Sequence, residues 1–453
     1  MRQGENLSPL LFAIYLNDFE AFLKKHYFGL THISLAAKRE LSDDDVELFF
    51  RLFVLLYADD TIVLAESELE LQSALNASSI YCRDWGLTVN LTKTKIIIFS
   101  SGKITKHRNF TFNGKPVEVV DDYVYLGTTF NFNGNFSKAL EKQIDLARKA
   151  MFSLLTKARR LLLPIDLQLE LFEKTIVPIL LYGCEVWGHT NLQPLEVFYR
   201  KFLKIVLKIG YSTPSCQVYG ETGKSPLFNT VNRRLISFWI KISEDKPMKY
   251  ATVIYNLMYK LHISGKCYFP WIQNIKDILY SCNFKNLWDN QSDYSTKSLL
   301  KTNIFKTLED LYRVKWKNEV FTNQYTVIYR MYKVDLSFEK YLSLPKLSNY
   351  QRFSLVRFRT GNNKLPINKF KFSRIAQDKM CPFCNDQVGF FIGNEFHYLF
   401  ECHVFAQERS IYLHSYFRTR PNTIKINKLF NSDNRKTLVN LSKFASCIMK
   451  KFQ

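Results

Sequence analysis

The spacing of hydrophobic positions changes several times along the first third of the chain. Ser8 and Pro9 suit a helix cap and first turn. Leu11, Ile14, Tyr15, Asp18, Phe19, Phe22 and Leu23 then recur at helical spacing, mostly on one apolar side, which predicts an amphipathic helix over 9–25. A polar, acidic stretch at 42–47 precedes an apolar run at 49–56, which ends in Tyr57-Ala58-Asp59-Asp60 and continues as Thr61-Ile62-Val63-Leu64. That pattern predicts strand, tight turn, strand, with both aspartates at the tip. Residues 67–85 read as a helix that Gly86 ends. Further strands are expected at 95–100 and 123–130.

After about residue 136 the pattern becomes helical: 139–163, 166–182 and 195–209. A Gly/Pro/Ser-containing stretch at 210–226 reads as a linker, and 227–375 reads as mostly helical, basic and aromatic. No internal repeat or low-complexity tract interrupts the chain. The expected class is therefore α+β, with an antiparallel hairpin and helices first and a mostly helical remainder.

Charge sharpens this picture. Among 453 residues, 63 Lys and Arg face 41 Asp and Glu, a formal net charge of +22. An excess of that size predicts attraction to polyanions, above all nucleic-acid backbones. The aromatic share of 15% supplies faces for base stacking. Of nine cysteines, Cys82, Cys184, Cys216, Cys267, Cys282 and Cys447 are scattered singly, a usage that fits a reducing compartment, nucleus or cytoplasm, rather than a disulfide scaffold. The apolar stretch at 7–16 imitates a signal peptide but is preceded by Gln3, Gly4, Glu5 and Asn6 and followed by no small-residue cleavage site. The best membrane-span candidate, 52–65, carries Asp59 and Asp60 at its centre, so no membrane partner is expected.

Two adjacent aspartates repel one another. A solvated turn would tolerate them, but this tip is flanked by apolar strands. Carboxylates at the end of a buried hairpin are a means of holding Mg²⁺, which takes its remaining ligands from water and substrate phosphates. Two such ions about 4 Å apart activate an attacking hydroxyl and stabilise a departing pyrophosphate.

The neighbouring residues make the pattern specific. Arg2-Gln3-Gly4-x-x-Leu7-Ser8-Pro9-Leu10-Leu11-Phe12 with Tyr15-x-Asn17-Asp18 closely resembles the template- and nucleotide-handling motif of non-LTR (LINE-type) retrotransposon reverse transcriptases. Tyr57-Ala58-Asp59-Asp60 resembles their catalytic hairpin. Gly86-Leu87-x-x-Asn90-x-x-Lys93-Thr94-Lys95 resembles the following palm motif, and Tyr125-Leu126-Gly127 the primer-grip strand. Leu181-Tyr182-Gly183-x-Glu185-x-Trp187-Gly188 is similar to a segment these proteins carry beyond the palm. The resemblance implies Asp59 and Asp60 as catalytic metal ligands, Asp59 the more direct. It implies Gln3 and Gly4 against template and incoming nucleotide, Tyr125 and Gly127 near the primer, and Lys93 or Lys95 near the triphosphate. Ordinary surface lysines beside a strand are an equal alternative for the last two.

The family's palm uses a third carboxylate, on a strand upstream of the Gln-Gly motif, which here begins at residue 2. Asp43, Asp44 and Asp45 lie on a predicted loop and are not expected to substitute. The expectation is an incomplete polymerase palm at 1–130, a helical thumb at 131–210, a basic helical region at 211–375, a zinc module at 376–410 and a helical tail at 411–453. The chain is expected to be an N-terminally truncated reverse transcriptase, inactive alone. The alternative is a non-catalytic remnant that binds RNA or DNA. The expected partners are RNA and DNA, element RNA and target DNA by resemblance, with no small-molecule cofactor beyond nucleotides.

Near the end, Cys381-Pro382-Phe383-Cys384, His397 and Cys402 follow the spacing C-x2-C-x12-H-x4-C. Four soft or borderline ligands with no vacant position suit a structural Zn²⁺. Redox activity and plain core burial are the competing explanations, and His403 competes with His397 as the fourth ligand. Arg352, Arg357, Arg359, Lys364, Lys369, Lys371 and Arg374 precede the cluster, interleaved with Phe353, Phe358, Phe370 and Phe372. That alternation suits phosphate contact with base stacking, although helix core accounts for the phenylalanines somewhat better.

Overall fold

Asn17 and Asp18 break the first helix. The computed structural model describes residues 8–26, 54–57, 60–100, 109–243, 249–291, 294–384 and 391–452. In it the single helix expected over 9–25 is two, Ser8–Tyr15 and Phe19–His26. Asn and Asp compete with the helical backbone through their own side chains, and the Asp18 carboxylate is engaged by the Tyr81 hydroxyl at 2.6 Å. Leu16, Phe19 and Leu23 bury themselves against Ala74, Ala77 and Tyr81 of the helix Glu68–Asp84. That helix starts where Ser67 accepts from the Glu70 N–H and stops at Gly86, whose φ of 65° suits glycine.

Among the described residues, three small sheets accompany these helices. Strands β1 (Val54–Tyr57) and β2 (Asp60–Val63) pair antiparallel, with Tyr57 opposite Asp60. Strand β3 (Lys95–Ile96) runs parallel to β5 (Lys115–Val119), which pairs antiparallel with β4 (Phe110–Phe112). The strand expected at 95–100 thus keeps only its first two residues. By Ser100 the backbone has left the sheet and bonds the Phe132 carbonyl. The strand expected at 123–130 is a hairpin, β6 (Asp122–Tyr125) and β7 (Thr128–Asn131). Leu126 and Gly127 turn it with φ of 46° and 78°, the two positive values a tight hairpin of this hand requires.

The helix Ser137–Arg160 follows. The helix expected over 166–182 is Ile165–Leu171, a wider π turn Phe172–Ile176, and Val177–Leu180. Pro178 has no N–H to continue an α-helical ladder, and the turn before it accommodates that loss. Gln193–Leu207 matches the third expected helix.

The chain divides into two compact units: 1–142, 183–190 and 234–301 in one, 143–182, 191–233 and 302–453 in the other. The stretch 210–226, read above as a linker, lies in the second unit and is core. Its helix Ser215–Thr222 is buried from Cys216 to Thr222. There Arg359 pairs with Glu221 and Glu339, and Lys333 pairs with Glu339, a buried cluster of two cations and two anions. Phe172 stacks on Phe202 at 3.9 Å and on Tyr199 at 5.6 Å in the same unit. The fold class is mixed α+β, as expected. No described helix is long and apolar enough to cross a membrane.

Candidate metal centre and the carboxylate hairpin

The Cys3His cluster is assembled by a short backbone ribbon and one helix. The Cys381 N–H donates to Phe391 and the Gly393 N–H to Lys379, which returns the chain beside the Cys381–Cys384 turn. Asn394 then caps the helix Glu395–Phe400 by accepting from the His397 N–H at 2.9 Å. Buried Arg409 donates to the carbonyls of Leu399 and Cys402 at 2.7 and 2.8 Å, fixing the helix end and the last cysteine together.

Cys381, Cys384, His397 and Cys402 are all buried, and their ligand atoms lie within 4.8 Å of one another. Sγ of Cys402 is 4.0 Å from that of Cys381 and 3.8 Å from that of Cys384. A tetrahedral ion bonded to sulfur at about 2.3 Å spaces its sulfurs by about 3.8 Å, so the separations suit zinc. His397 gives Nδ1 to Glu401 at 3.1 Å, while its Nε2 is buried with no hydrogen-bond partner. An orphaned imidazole nitrogen within a group of thiols is what a bound ion would satisfy, and a carboxylate on the other nitrogen is the usual orienting partner. The hydrogen bond with Cys402 pulls the Cys381 thiol down to about 3 and pushes Cys402 up. Burial alone would lower His397, but Cys381 and Glu401 outweigh it and raise it. His403 places Nδ1 3.3 Å from Cys384 Sγ and stands outside the four-residue group. The donor set Cys381, Cys384, His397 and Cys402 is therefore compatible with a zinc ion.

Of the other expected site residues, those described lie on separate elements. Gln3, Gly4 and Asp59 lie outside the described residues. Asp60 opens β2 and is exposed. Lys93 is exposed, and its carbonyl accepts from the Tyr123 hydroxyl at 3.2 Å. Lys95 pairs with Glu118 across the sheet at 2.6 Å. Tyr125 and Gly127 sit at the tip of the β6–β7 hairpin. Among the described strands the acids besides Asp60 are Glu118, held by Lys95, and Asp122, held by Asn131 and Lys138 at 2.5 Å each. Both carboxylates are thus engaged in ion pairs.

The basic residues before the Cys3His cluster separate into two kinds. Arg359 is fully buried in the ionic core, and Arg352 donates to the Leu344 carbonyl at 2.7 Å; both are structural. Phe358 is core, whereas Phe372 is 76% exposed. Arg357 and Lys371, by contrast, line a cavity. Sequence reading missed the partners of that cavity, Thr213 and Asn362. The run Gly361-Asn362-Asn363 just past a helix end was the available signal.

Residues 1–130 match the model of the reverse transcriptase (RNA-dependent DNA polymerase) family. The chain thus resembles the RNA-directed DNA polymerases of non-LTR retrotransposons. It is 20% identical over 241 residues to a probable RNA-directed DNA polymerase from transposon X-element of Drosophila melanogaster, covering 51% of this chain and 24% of that protein. It is 27% identical over 141 residues to the Pol polyprotein of the type-1 retrotransposable element R2 of Popillia japonica, covering 30% and 21%. An uncharacterised transposon-derived protein of Caenorhabditis elegans is 26% identical over 141 residues, covering 29% and 48%. The chain spans less than half the length of each of these relatives.

Proposed function

We propose that this chain works as part of a retrotransposon reverse transcriptase that copies RNA into DNA, and that its 453 residues do not polymerise by themselves. The reverse transcriptase match over 1–130 carries this reading. The hairpin register, with Tyr57 opposite Asp60 across the two-residue link, agrees with it. Asp59 and Asp60 would hold Mg²⁺, which supplies charge stabilisation to the attacking and leaving oxygens. Gln3 and Gly4 would contact template and nucleotide, glycine permitting close backbone approach, and Tyr125 and Gly127 would lie at the primer. Lys93 would approach the triphosphate. Lys95, already committed to Glu118, would do so only by leaving that pair.

Among the described strands Glu118 and Asp122 are both ion-paired, which favours a third metal-bridging carboxylate from another segment, joined in cis or supplied in trans. A primer-extension assay on an RNA template tests this. The 453-residue protein alone should give no extension, and a longer in-frame product bearing an upstream aspartate strand should extend the primer until Asp59→Asn is introduced. Extension by the 453 residues alone, abolished by Asp59→Asn, would overturn the need for a third carboxylate.

A second role accompanies the first: holding RNA or DNA through basic surfaces and the zinc module. The net charge of +22 favours it. Affinity for an oligonucleotide should fall steeply with salt. A salt-independent response would remove this reading.

A further inference from the structure

The second unit contains a cavity of about 610 Å³ whose walls include Lys208, Thr213, Tyr325, Arg357, Asn362 and Lys371, and none of whose lining residues is acidic. Carboxylates are common on protein surfaces, and their absence around several cations makes the cavity a trap for anions. Its polar groups are arranged rather than scattered. Asn362 accepts from the Gly210 N–H through its carbonyl oxygen at 3.0 Å, which leaves the amide NH₂ for the cavity. Thr213 lines the cavity, is only 5% exposed, and has a buried hydroxyl with no hydrogen-bond partner. A buried hydroxyl of that kind costs stability unless a ligand or water satisfies it.

The mouth carries an aromatic platform. Tyr325, on the cavity wall, is 43% exposed and meets the exposed Phe372 edge-on at 6.2 Å. The Lys371 ammonium stands 5.5 Å from the Tyr325 ring and 4.9 Å from the Phe372 ring. Together they offer what an unpaired nucleotide needs: a flat face for the base and positive charge for the phosphate. A duplex hides its base faces and could not use the platform.

From this we infer that the cavity is a single-strand nucleic-acid site, in which a phosphodiester enters among Arg357, Asn362, Thr213 and Lys208 while a neighbouring base stacks on Tyr325 or Phe372. The inference rests on the nucleic-acid reading above and adds to it the strand type and the residues. The cavity is also tied to the metal module. Asn363 and Asn368, both lining it, donate to the buried Glu395 carboxylate at 3.1 and 2.6 Å. Glu395 opens the helix that presents His397, so the module braces one wall of the site.

The test uses the full chain and a labelled oligo-dT of about fifteen nucleotides, followed by fluorescence anisotropy across salt concentrations, with a duplex of equal length, a mononucleotide and inorganic phosphate as competitors. The double variant Lys371→Ala/Phe372→Ala should weaken single-strand binding about ten-fold or more. Lys371→Ala alone should flatten the salt slope by about 0.7, the value for one lost phosphate contact on a single strand. Phe372→Trp should retain affinity, and Asn362→Ala should lose part of it. Lys317→Ala, an exposed lysine outside the cavity, provides the charge-matched control. If the wild type binds with a steep salt slope and every cavity variant behaves like Lys317→Ala, the site is refuted while the nucleic-acid reading stands. Failure of the wild type to bind any oligonucleotide refutes both. Equal affinity for duplex, or complete displacement by low inorganic phosphate, would refute the single-strand assignment.

Discussion

Arg359 donates Nε to both carboxylate oxygens of Glu221 at 3.0 Å, although 138 positions separate the two residues and neither side chain touches solvent. Its other face pairs with Glu339 at 3.0 Å. Removing one member of such a set leaves an uncompensated charge in the interior, which costs about 3–5 kcal/mol. Arg359→Met is therefore expected to lower the denaturant midpoint of the second unit sharply. Arg359→Lys should also be destabilising, since one ammonium cannot span two carboxylates. A midpoint within about 1 kcal/mol of wild type for Arg359→Met would contradict this.

Acidity should reveal Glu196. It is buried, accepting from the Tyr219 hydroxyl at 2.9 Å and the Phe228 N–H at 2.7 Å. Burial pushes its carboxyl above the usual glutamate range despite those bonds. A raised folded value means that the native state binds this proton more tightly than the unfolded chain. The contribution is complete below the unfolded pKa and is lost as pH rises through the folded one. Glu196→Gln keeps an acceptor for Phe228 and never ionises. Its melting temperature should gain on wild type over the range of rising pH that begins at the unfolded glutamate value of about 4.3. A constant difference over that range would show that Glu196 does not titrate there.

Metal content distinguishes the two candidate histidines. Cys384→Ser and His397→Ala are expected to lose nearly all bound zinc by elemental analysis and to loosen the helix Glu395–Phe400. His403→Ala should retain it, because that ring lies beside Cys384 but outside the four-ligand group. Retention by His397→Ala with loss in His403→Ala would reverse the assignment.

Gly183 adopts φ of 69°, and a Cβ there would approach the Thr128 hydroxyl to 3.2 Å and the Trp187 ring to 3.5 Å. Left-handed backbone costs a side-chain-bearing residue about 1–2 kcal/mol. Gly183→Ala should thus lower the melting temperature of the first unit by a few degrees. Substitution at Gly265, also left-handed but with nothing near its missing Cβ, should cost less. Equal losses would mean that crowding at Gly183 is absorbed.

How far the sequence carried depends on the distance over which each feature is determined. The helix at 68–84 was legible because Ser67 and Gly86 act on their own neighbours. The cysteine spacing similarly exposed Cys381, Cys384 and Cys402. The hairpin at 122–131 was read as one strand because Leu126 carries no hint that it takes positive φ; only Gly127 does. The buried helix Ser215–Thr222 was mistaken for a linker because glycine, proline and serine dominate its flanks. Its burial is decided by Trp316, whose indole donates to the Cys216 carbonyl at 2.7 Å from 100 positions away. Arg359 looked like one more cation in a basic series, since its anionic partners are remote in sequence. The cavity was invisible for the same reason: Gly210 and Asn362, its hinge of recognition, are 152 positions apart.

The ionic core also dictates how the molecule tolerates dissection. Any scission between positions 221 and 359 orphans Glu221 on one fragment and Arg359 on the other, each shaped to fit a dry interior. Fragments cut there should misfold or seek each other out. Co-expressed halves, by the same token, have a built-in reason to reassemble.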